Sequence, residues 1–137
     1  DTSKIPTKAH TTDACFDLYC NEPEGENILI PSEGYAIMHT GIKTDIPTGY
    51  FAAVFSRSGM GFKQDLRLCN CVGVIDSDYR GEWMIKIVND SHEDRIIHHG
   101  DKIAQFAILP VLDVTLNEVD ELSTTERGEG GFGSSGR

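Results

Sequence analysis

The fold is decided within residues 73–89, which read GVIDSDYRGEWMIKIVN in one-letter code. In the second half of this stretch, large apolar side chains recur at every second position, at Trp83, Ile85 and Ile87. A period of two is typical of a β-strand with one buried face. The first half is an apolar run that enters a polar turn closed by Gly81. The stretch therefore predicts a hairpin of two strands joined by that turn.

The rest of the chain repeats this pattern of short apolar runs separated by turn residues. Runs that predict strands lie at 28–30, 35–38, 41–46, 50–55, 66–72, 82–89, 95–97, 103–109 and 111–116. Residues 60–64 predict a single helical turn, and no segment has the pattern of a long amphipathic helix. Many short strands at this spacing indicate an all-β domain, either a sandwich, a jelly roll or a barrel.

Length, charge and cysteine usage restrict the class of protein. The 137 residues suffice for one domain, and a net charge of −10 argues against broad binding to nucleic acid or an anionic membrane. No apolar run is long enough to predict a transmembrane helix or a signal peptide. The four cysteines lack metal-ligand spacing, so we expect reduced thiols in a reducing, cytoplasmic compartment.

The C-terminal residues change in character and are rich in glycine. We expect a core domain over residues 1–122 and a mobile arm over 123–137. The spacing Gly128-x-Gly130-x-x-Gly133 formally matches a dinucleotide fingerprint, but no strand or helix flanks it. Arg127, Phe132 and the two following serines suit phosphate binding and base stacking better.

Three further polar islands interrupt the apolar runs, and each has a structural and a functional interpretation. Arg57, Ser58 and Gly59 form either a capped loop or an anion site built from a guanidinium, a hydroxyl and an accessible N–H. Gln105 is either an exposed strand residue or an amide turned towards a cleft. Asp17 either caps a turn or is kept as a charge for a cation or a base.

The polar turn of the opening stretch carries two acids and a phenol, Asp76, Asp78 and Tyr79. A turn of this composition often serves only to reverse the chain. Between apolar strands, however, burial or mutual repulsion can raise the pKa of a carboxyl group, as in a catalytic acid or base. Sequence alone leaves both interpretations open.

In chain order, these five islands resemble the five motifs of the trimeric dUTPase family, over residues from about Ala14 to Gly136. The resemblance implies a jelly-roll-like β-barrel of the dUTPase type with a flexible C-terminal arm, residues 123–137, that closes over an active site. It also implies a homotrimer with three active sites at subunit interfaces.

The implied reaction is Mg²⁺-dependent hydrolysis of dUTP to dUMP and pyrophosphate, which limits uracil incorporation into DNA and supplies dUMP for thymidylate synthesis. By resemblance, Asp76 orients and deprotonates the water that attacks the α-phosphorus, with Ser58 and Gln105 completing the catalytic set. Asp17 matches the acid that reaches Mg²⁺ through water, the ion being held mainly by the triphosphate.

The resemblance also assigns the substrate-binding residues. Backbone groups between Asn70 and Met84 select uracil, Tyr79 packs under deoxyribose, Arg127 contacts the γ-phosphate and Phe132 covers the base. The full predicted set is Arg57, Ser58, Gly59, Asn70, Gly73, Val74, Ile75, Asp76, Tyr79, Met84, Gln105, Arg127, Phe132, Gly133, Ser134 and Ser135.

Four residues depart from the family pattern. Cys15 replaces a glycine, Ser56 a proline, Lys102 an arginine and Ser135 a threonine. No catalytic functional group is lost. Two alternative functions stay open at this point: a dCTP deaminase of the same fold, which needs a glutamate that activates water at the base, and a dUTPase-fold regulatory protein that binds a partner.

Overall fold

A computed structural model describes residues 3–133. These residues form nine strands and one seven-residue helix. The elements are β1 (Phe16–Tyr19), β2 (Asn27–Ile30), β3 (Tyr35–His39), β4 (Tyr50–Phe55), α1 (Ser58–Gln64), β5 (Leu66–Leu68), β6 (Val72–Ile75), β7 (Met84–Asn89), β8 (Arg95–His98) and β9 (Lys102–Pro110). The all-β prediction is confirmed. Within residues 3–133, no helix has the length and apolar character needed to cross a bilayer.

Antiparallel pairing organises the strands into three sheets. The largest has the order β1-β9-β4-β6, a second has the order β3-β7-β5, and the third pairs β2 with β8. The sheets do not close into a continuous barrel. Their apolar faces nevertheless share one core, which agrees with the jelly-roll fold.

The core confirms the alternation of the opening stretch. Trp83, Ile85 and Ile87 are each at most 5% exposed, whereas Met84 between them is exposed. The Trp83 ring packs edge-to-face on Phe106 of β9, with ring centroids 5.0 Å apart. This contact joins the segment before β7 to the largest sheet.

The predicted hairpin is wrong in its pairing. β6 pairs with β4, whereas β7 pairs with β3 and β5, so the two strands that flank the polar turn belong to different sheets. The predicted strand 66–72 is divided between β5, which ends at Leu68, and β6, which begins at Val72. Cys71 adopts a left-handed φ of 60°, and Val72 N–H donates to Asn70 O at 2.6 Å, which closes a tight turn between β5 and β6.

Two other predicted strands are not formed, because their main-chain N–H groups donate to acceptors outside a regular strand ladder. Residues 41–46 form no strand, because Gly41 has a φ of 70° and its N–H donates to the Glu82 carboxylate. Residues 111–116 form none either; Val111 N–H donates to Gly49 O, and the apolar side chains that follow it are exposed. The sequence predicts a polar island and no strand at residues 16–19, yet these residues form β1 by pairing with β9. The predicted helical turn 60–64 is confirmed and begins at Ser58.

Asn89 is a buried polar residue that ties together the ends of several elements. Its side chain is fully buried, and its amide nitrogen lies within hydrogen-bond distance of the carbonyls of Ile30, Pro31 and Glu93. Its amide oxygen accepts from the N–H and hydroxyl of Ser91. Buried polar groups are stabilising only when such partners are present.

We predict that Asn89→Ala lowers the free energy of unfolding by about 3–5 kcal/mol, because several buried backbone groups lose their partner at once. The measurement is urea unfolding at one fixed protein concentration. Asn27→Ala, at an exposed position of β2, is the matched control and should change stability by less than about 0.5 kcal/mol. Equal effects of the two variants would contradict this role of Asn89.

Candidate active site

Strand register brings the first group of predicted residues together. Gln105 of β9 lies opposite Asp17 of β1 on one side and opposite Phe55 of β4 on the other. Directly opposed residues project to the same face of an antiparallel sheet. Arg57 follows two residues after Phe55, so it emerges beside Asp17 and Gln105.

Asp17, Arg57 and Lys102 form an ion cluster. Arg57 Nε donates to Asp17 Oδ1 at 3.0 Å, and Lys102 Nζ lies 2.7 Å from Oδ2. Asp17 is only 8% exposed. A buried carboxylate is tolerated when cations compensate its charge, and here each oxygen has its own cation. Sequence reasoning placed Asp17 near the metal and Arg57 near phosphate, and it noted Lys102 only as a departure from the family pattern. It missed that Asp17 pairs with both cations.

Gln105 and Ser58 share a cleft of about 410 Å³ with Arg57. The Gln105 amide donates to Ser56 O at 2.9 Å, which fixes its side chain against the segment before α1. Ser58 and Gly59 are exposed at the start of α1. A Cβ at Gly59 would meet no atom within 4 Å, so packing within this chain does not require glycine there. The absent side chain leaves the backbone N–H open to a ligand.

A second group of predicted residues lines a cavity of about 300 Å³ between β6 and β7, here called the inter-sheet cavity. A volume of this size is typical of small-molecule sites. Residues predicted from sequence that line it are Asn70, Gly73, Val74, Ile75 and Met84. The cavity exists because β6 and β7 belong to different sheets, so no ladder of hydrogen bonds fills the space between them.

Asp76 and Tyr79 line an adjoining cavity of about 210 Å³, here called the turn cavity, whose walls also include Val74, Ile75 and Met84. Asp76 is exposed, so this chain does not bury its carboxylate in the way the sequence allowed for. The Tyr79 hydroxyl donates to Glu82 O at 3.2 Å. A Cβ at Gly81 would lie 2.2 Å from that hydroxyl, so only glycine permits this position of the ring.

Trp83 is a residue of the site that sequence reasoning missed. It lines both cavities while it is only 1% exposed. Its alternation with Ile85 indicated a core position, and nothing in that pattern indicated a cavity next to it. Ser56 was noted only as a departure from proline, yet its hydroxyl accepts from Leu68 N–H at 2.9 Å.

The two groups of residues are separated within one chain. Ile75 pairs with Ala52, so Asp76 lies about four residues along β4 from the level of Phe55 and Gln105. With about 3.4 Å per residue and about 4.8 Å per strand, Asp76 and Gln105 are on the order of 15 Å apart. A single chain therefore does not place Asp76 beside Arg57, Ser58 and Gln105.

The predicted arm residues lie apart from both groups. Arg127 Nε donates locally to Gly130 O at 2.7 Å, Phe132 is fully exposed, and a Cβ at Gly133 would meet nothing. None of the three lines the cavities described above. The predictions for Ser134 and Ser135 lie outside the described residues.

Comparison with known proteins gives a consistent result. The family model described as dUTPase matches residues 1–136. A deoxyuridine 5′-triphosphate nucleotidohydrolase of Alkaliphilus metalliredigens is 42% identical over 134 residues, covering 98% of this chain and 90% of the relative. One of Desulfotalea psychrophila is 44% identical over 123 residues, covering 90% and 77%.

Solved structures agree with the sequence comparisons. The Staphylococcus bacteriophage 80alpha dUTPase, solved with dUpNHpp, has a TM-score of 0.86 and 30% identity, and the match covers 98% of this chain and 93% of that one. A variant dUTPase from phage phi11 of S. aureus, described for its coordination of a structural Mg(II) ion, has a TM-score of 0.76 and 26% identity over 87% and 91% of the two chains.

A polar clasp beside the turn cavity links His39 to Glu82. His39 Nδ1 lies 3.0 Å from Glu82 Oε2, and Glu82 Oε1 accepts from Gly41 N–H at 2.7 Å. The hydrogen bond and charge of Glu82 raise the pKa of His39 above its ordinary value of 6.5. The same hydrogen bond lowers the pKa of Glu82 below 4.5. Glu22 also lies next to His39, because its carboxylate accepts from the main-chain N–H of His39 at 2.8 Å.

The clasp predicts a pH-dependent effect of His39→Gln on stability. A raised histidine pKa contributes stability below pH 6.5 that is lost as the pH rises through the folded value, and a lowered glutamate pKa contributes stability above pH 4.5. His39→Gln should therefore lower the unfolding temperature near pH 5.5, where the histidine is charged, and should have little effect near pH 9, where it is neutral.

Thermal unfolding at both pH values is the measurement. His92→Gln is the control, because the His92 contact to Glu33 is longer, at 3.6 Å, and more exposed. A His39→Gln effect of the same size at both pH values would show that the histidine charge contributes nothing.

Proposed function

This chain belongs to the dUTPase family, and from that premise we propose how its residues hydrolyse dUTP to dUMP and pyrophosphate. The family match decides against the deaminase alternative. The observation that carries the assignment of roles is the adjacency of the two cavities, which places Asp76 next to the inter-sheet cavity.

The inter-sheet cavity is proposed to bind uracil through main-chain groups of β6. Among residues 3–133, this strand is at the edge of its sheet and pairs only with β4, so the N–H and C=O groups on its other side are available to a ligand. Cytosine presents the opposite donor pattern along its base-pairing edge and would leave those groups unpaired, at a cost of several kcal/mol in a dry pocket. A thymine methyl group would collide with the cavity wall.

Tyr79 is proposed to select deoxyribose. The residue is 43% exposed and lines the turn cavity, and its ring is held in place by the bond from its hydroxyl to Glu82 O. A ring fixed in this way offers a flat apolar surface to the sugar. It leaves no room for a 2′-hydroxyl, which distinguishes dUTP from UTP.

The triphosphate is proposed to bind Arg57, Ser58, the Gly59 N–H and Gln105. The protein as a whole is acidic, yet Arg57 and Lys102 concentrate positive charge next to this cleft. A guanidinium and a hydroxyl recognise phosphate oxygens by charge-assisted hydrogen bonds. Asp17 holds Arg57 in orientation before the substrate arrives.

Asp76 is proposed as the general base. Its carboxylate takes a proton from the water that attacks the α-phosphorus in line with the departing pyrophosphate, while Gln105 and Ser58 position the phosphate oxygens. The in-line displacement needs positioning and charge neutralisation more than covalent assistance. The exposed Asp76 carboxylate is accessible to water for this role.

Mg²⁺ is proposed as the cofactor. No cluster of three potential metal ligands occurs among residues 3–133, which fits an ion that keeps its waters and binds chiefly to substrate phosphates. Asp17 supplies an oxygen donor next to the phosphate cleft and would reach the ion through water. The ion, when bound, neutralises triphosphate charge. The phi11 enzyme is described with a structural Mg(II) ion.

A homotrimer with interfacial sites is proposed because one chain separates the required groups. Asp76 and Gln105 are on the order of 15 Å apart in sheet geometry. The residues around the two cavities of one copy must therefore meet the phosphate-binding residues of another copy. The exposed apolar side chains of the segment after Pro110 suit a contact with a neighbouring copy. The arm, residues 123–137, would close over the site with Arg127, Phe132, Gly133, Ser134 and Ser135.

The proposed cellular role is to limit uracil incorporation into DNA and to supply dUMP for thymidylate synthesis. We place the protein in the cytoplasm, because all four cysteines are free, as expected of a reducing compartment.

Mixing two inactive variants tests the shared site. Asp76→Asn should bind dUpNHpp and lose at least about 99% of its turnover, and Arg57→Ala should lose phosphate binding. Co-expressed in equal amounts, the two variants should recover about a quarter of wild-type activity. A site needs Asp76 from one copy and Arg57 from another, and each of these two copies carries the required residue with a probability of about one half. A mixture as inactive as its components would place the whole site within one chain.

A magnesium titration tests Asp17. Asp17→Asn should raise the Mg²⁺ concentration for half-maximal dUTP hydrolysis about tenfold or more, because it removes the charge facing the ion's water shell. Asp13→Asn is the control, since Asp13 lines the same cavity as Asp17 but is bonded to His10 N–H. If Asp17→Asn changes KM for dUTP while its Mg²⁺ requirement matches that of Asp13→Asn, Asp17 serves only Arg57 and Lys102.

A further inference from the structure

Ser56 connects the phosphate side of the chain to the inter-sheet cavity. It stands between the end of β4 at Phe55 and the functional Arg57. Its hydroxyl accepts from Leu68 N–H at 2.9 Å, and its carbonyl accepts from the Gln105 amide, also at 2.9 Å. Through two different oxygens, one residue thus contacts both the phosphate side and the base side of one chain, which serve different sites of the proposed trimer.

The Leu68 N–H needs this acceptor because of the geometry of β5. Within the part of the chain that the structure describes, this strand is at the edge of its sheet and pairs only with β7. Cys69 N–H donates to Lys86 O on β7, and successive N–H groups of a strand point to opposite sides, so Leu68 N–H points away from β7. Leu68 is only 2% exposed, which leaves little access to water.

The bond also fixes the wall of the cavity. Leu68, Cys69 and Asn70 all line the inter-sheet cavity, and they lead directly into the tight turn closed by the bond from Val72 N–H to Asn70 O. A shift at Leu68 is therefore carried into the part of the wall that faces the ligand. Selection by main-chain hydrogen bonds depends on a wall that does not move.

We propose that Ser56 is a specificity-determining positioning residue, whose hydroxyl holds the 68–70 wall in the position that admits uracil and rejects thymine. The inference rests on the proposed function, because it assumes that the inter-sheet cavity receives the base. A wall released at Leu68 has room to retreat from the thymine methyl group. The contacts of Ser56 with phosphate-binding residues run through its carbonyl and do not depend on the hydroxyl.

The hydrogen bond from Leu68 N–H to the Ser56 hydroxyl depends on a residue at which this chain departs from the family pattern. The family pattern that this chain resembles has a proline where this chain has Ser56, and proline has no hydroxyl with which to accept from Leu68 N–H. The departure at Ser56 thus introduces a bond that ties the segment before Arg57 to the wall of the inter-sheet cavity.

Ser56→Thr and Ser56→Val form a matched pair, because their side chains have nearly the same shape and differ by the hydroxyl. The readout is the ratio of kcat/KM for dUTP to that for dTTP. Ser56→Thr should keep this ratio within about twofold of wild type, and Ser56→Val should lower it about tenfold or more, the order of one methyl group in a pocket. A Ser56→Val ratio equal to that of Ser56→Thr overturns the proposal.

Inhibition by pyrophosphate separates a positioning role from general damage. Pyrophosphate occupies only the phosphate side, so its inhibition constant should be the same in both variants, whereas dUMP should bind the valine variant more weakly. An equal loss for pyrophosphate and dUMP would overturn the proposal. If Ser56→Val does not fold, Ser56→Ala takes its place with the same expected results. Failure of the wild-type protein to hydrolyse dUTP would instead contradict the proposed function.

Discussion

The position of β9 between β1 and β4 is the constraint on which the site depends. This nine-residue strand pairs with both neighbours, and the two registers place Gln105 opposite Asp17 and opposite Phe55. Because opposed residues share a face of the sheet, three segments far apart in sequence contribute to one cluster. A slip of one residue in either register would turn Gln105 to the other face and separate the amide from the ions.

The ion cluster bears on the proposed binding of a triphosphate to an acidic protein. Asp17 is nearly buried, and each of its oxygens has a cation, Arg57 or Lys102. Removing either cation would leave part of a buried charge uncompensated, so the cluster holds its members in place. An incoming phosphate can compete for the same cations without the cost of ordering long side chains from solution.

Divergence of two strands creates the cavity that is proposed to bind the base. The strands β6 and β7 are neighbours in sequence, yet one joins β4 and the other joins β3 and β5. The turn between them spans two sheets, and the open space becomes the inter-sheet cavity. An edge strand can invite unwanted pairing with another chain, whereas here the main-chain groups of β6 are proposed to pair with a pyrimidine.

Sequence by itself determined the all-β class, the core face of β7 and the identity of the polar islands, because period-two burial and turn chemistry are local properties. It also supplied, through family resemblance, the residues Asp17, Arg57, Gln105 and Asp76. Tertiary structure decided which of these meet. Pairing partners are set by contacts between distant segments, so residues 73–89 were read as a hairpin when they cross between sheets. For the same reason, the hydroxyl of Ser56 and the ring of Trp83 acquire their roles only when β4, β5 and β7 pack together.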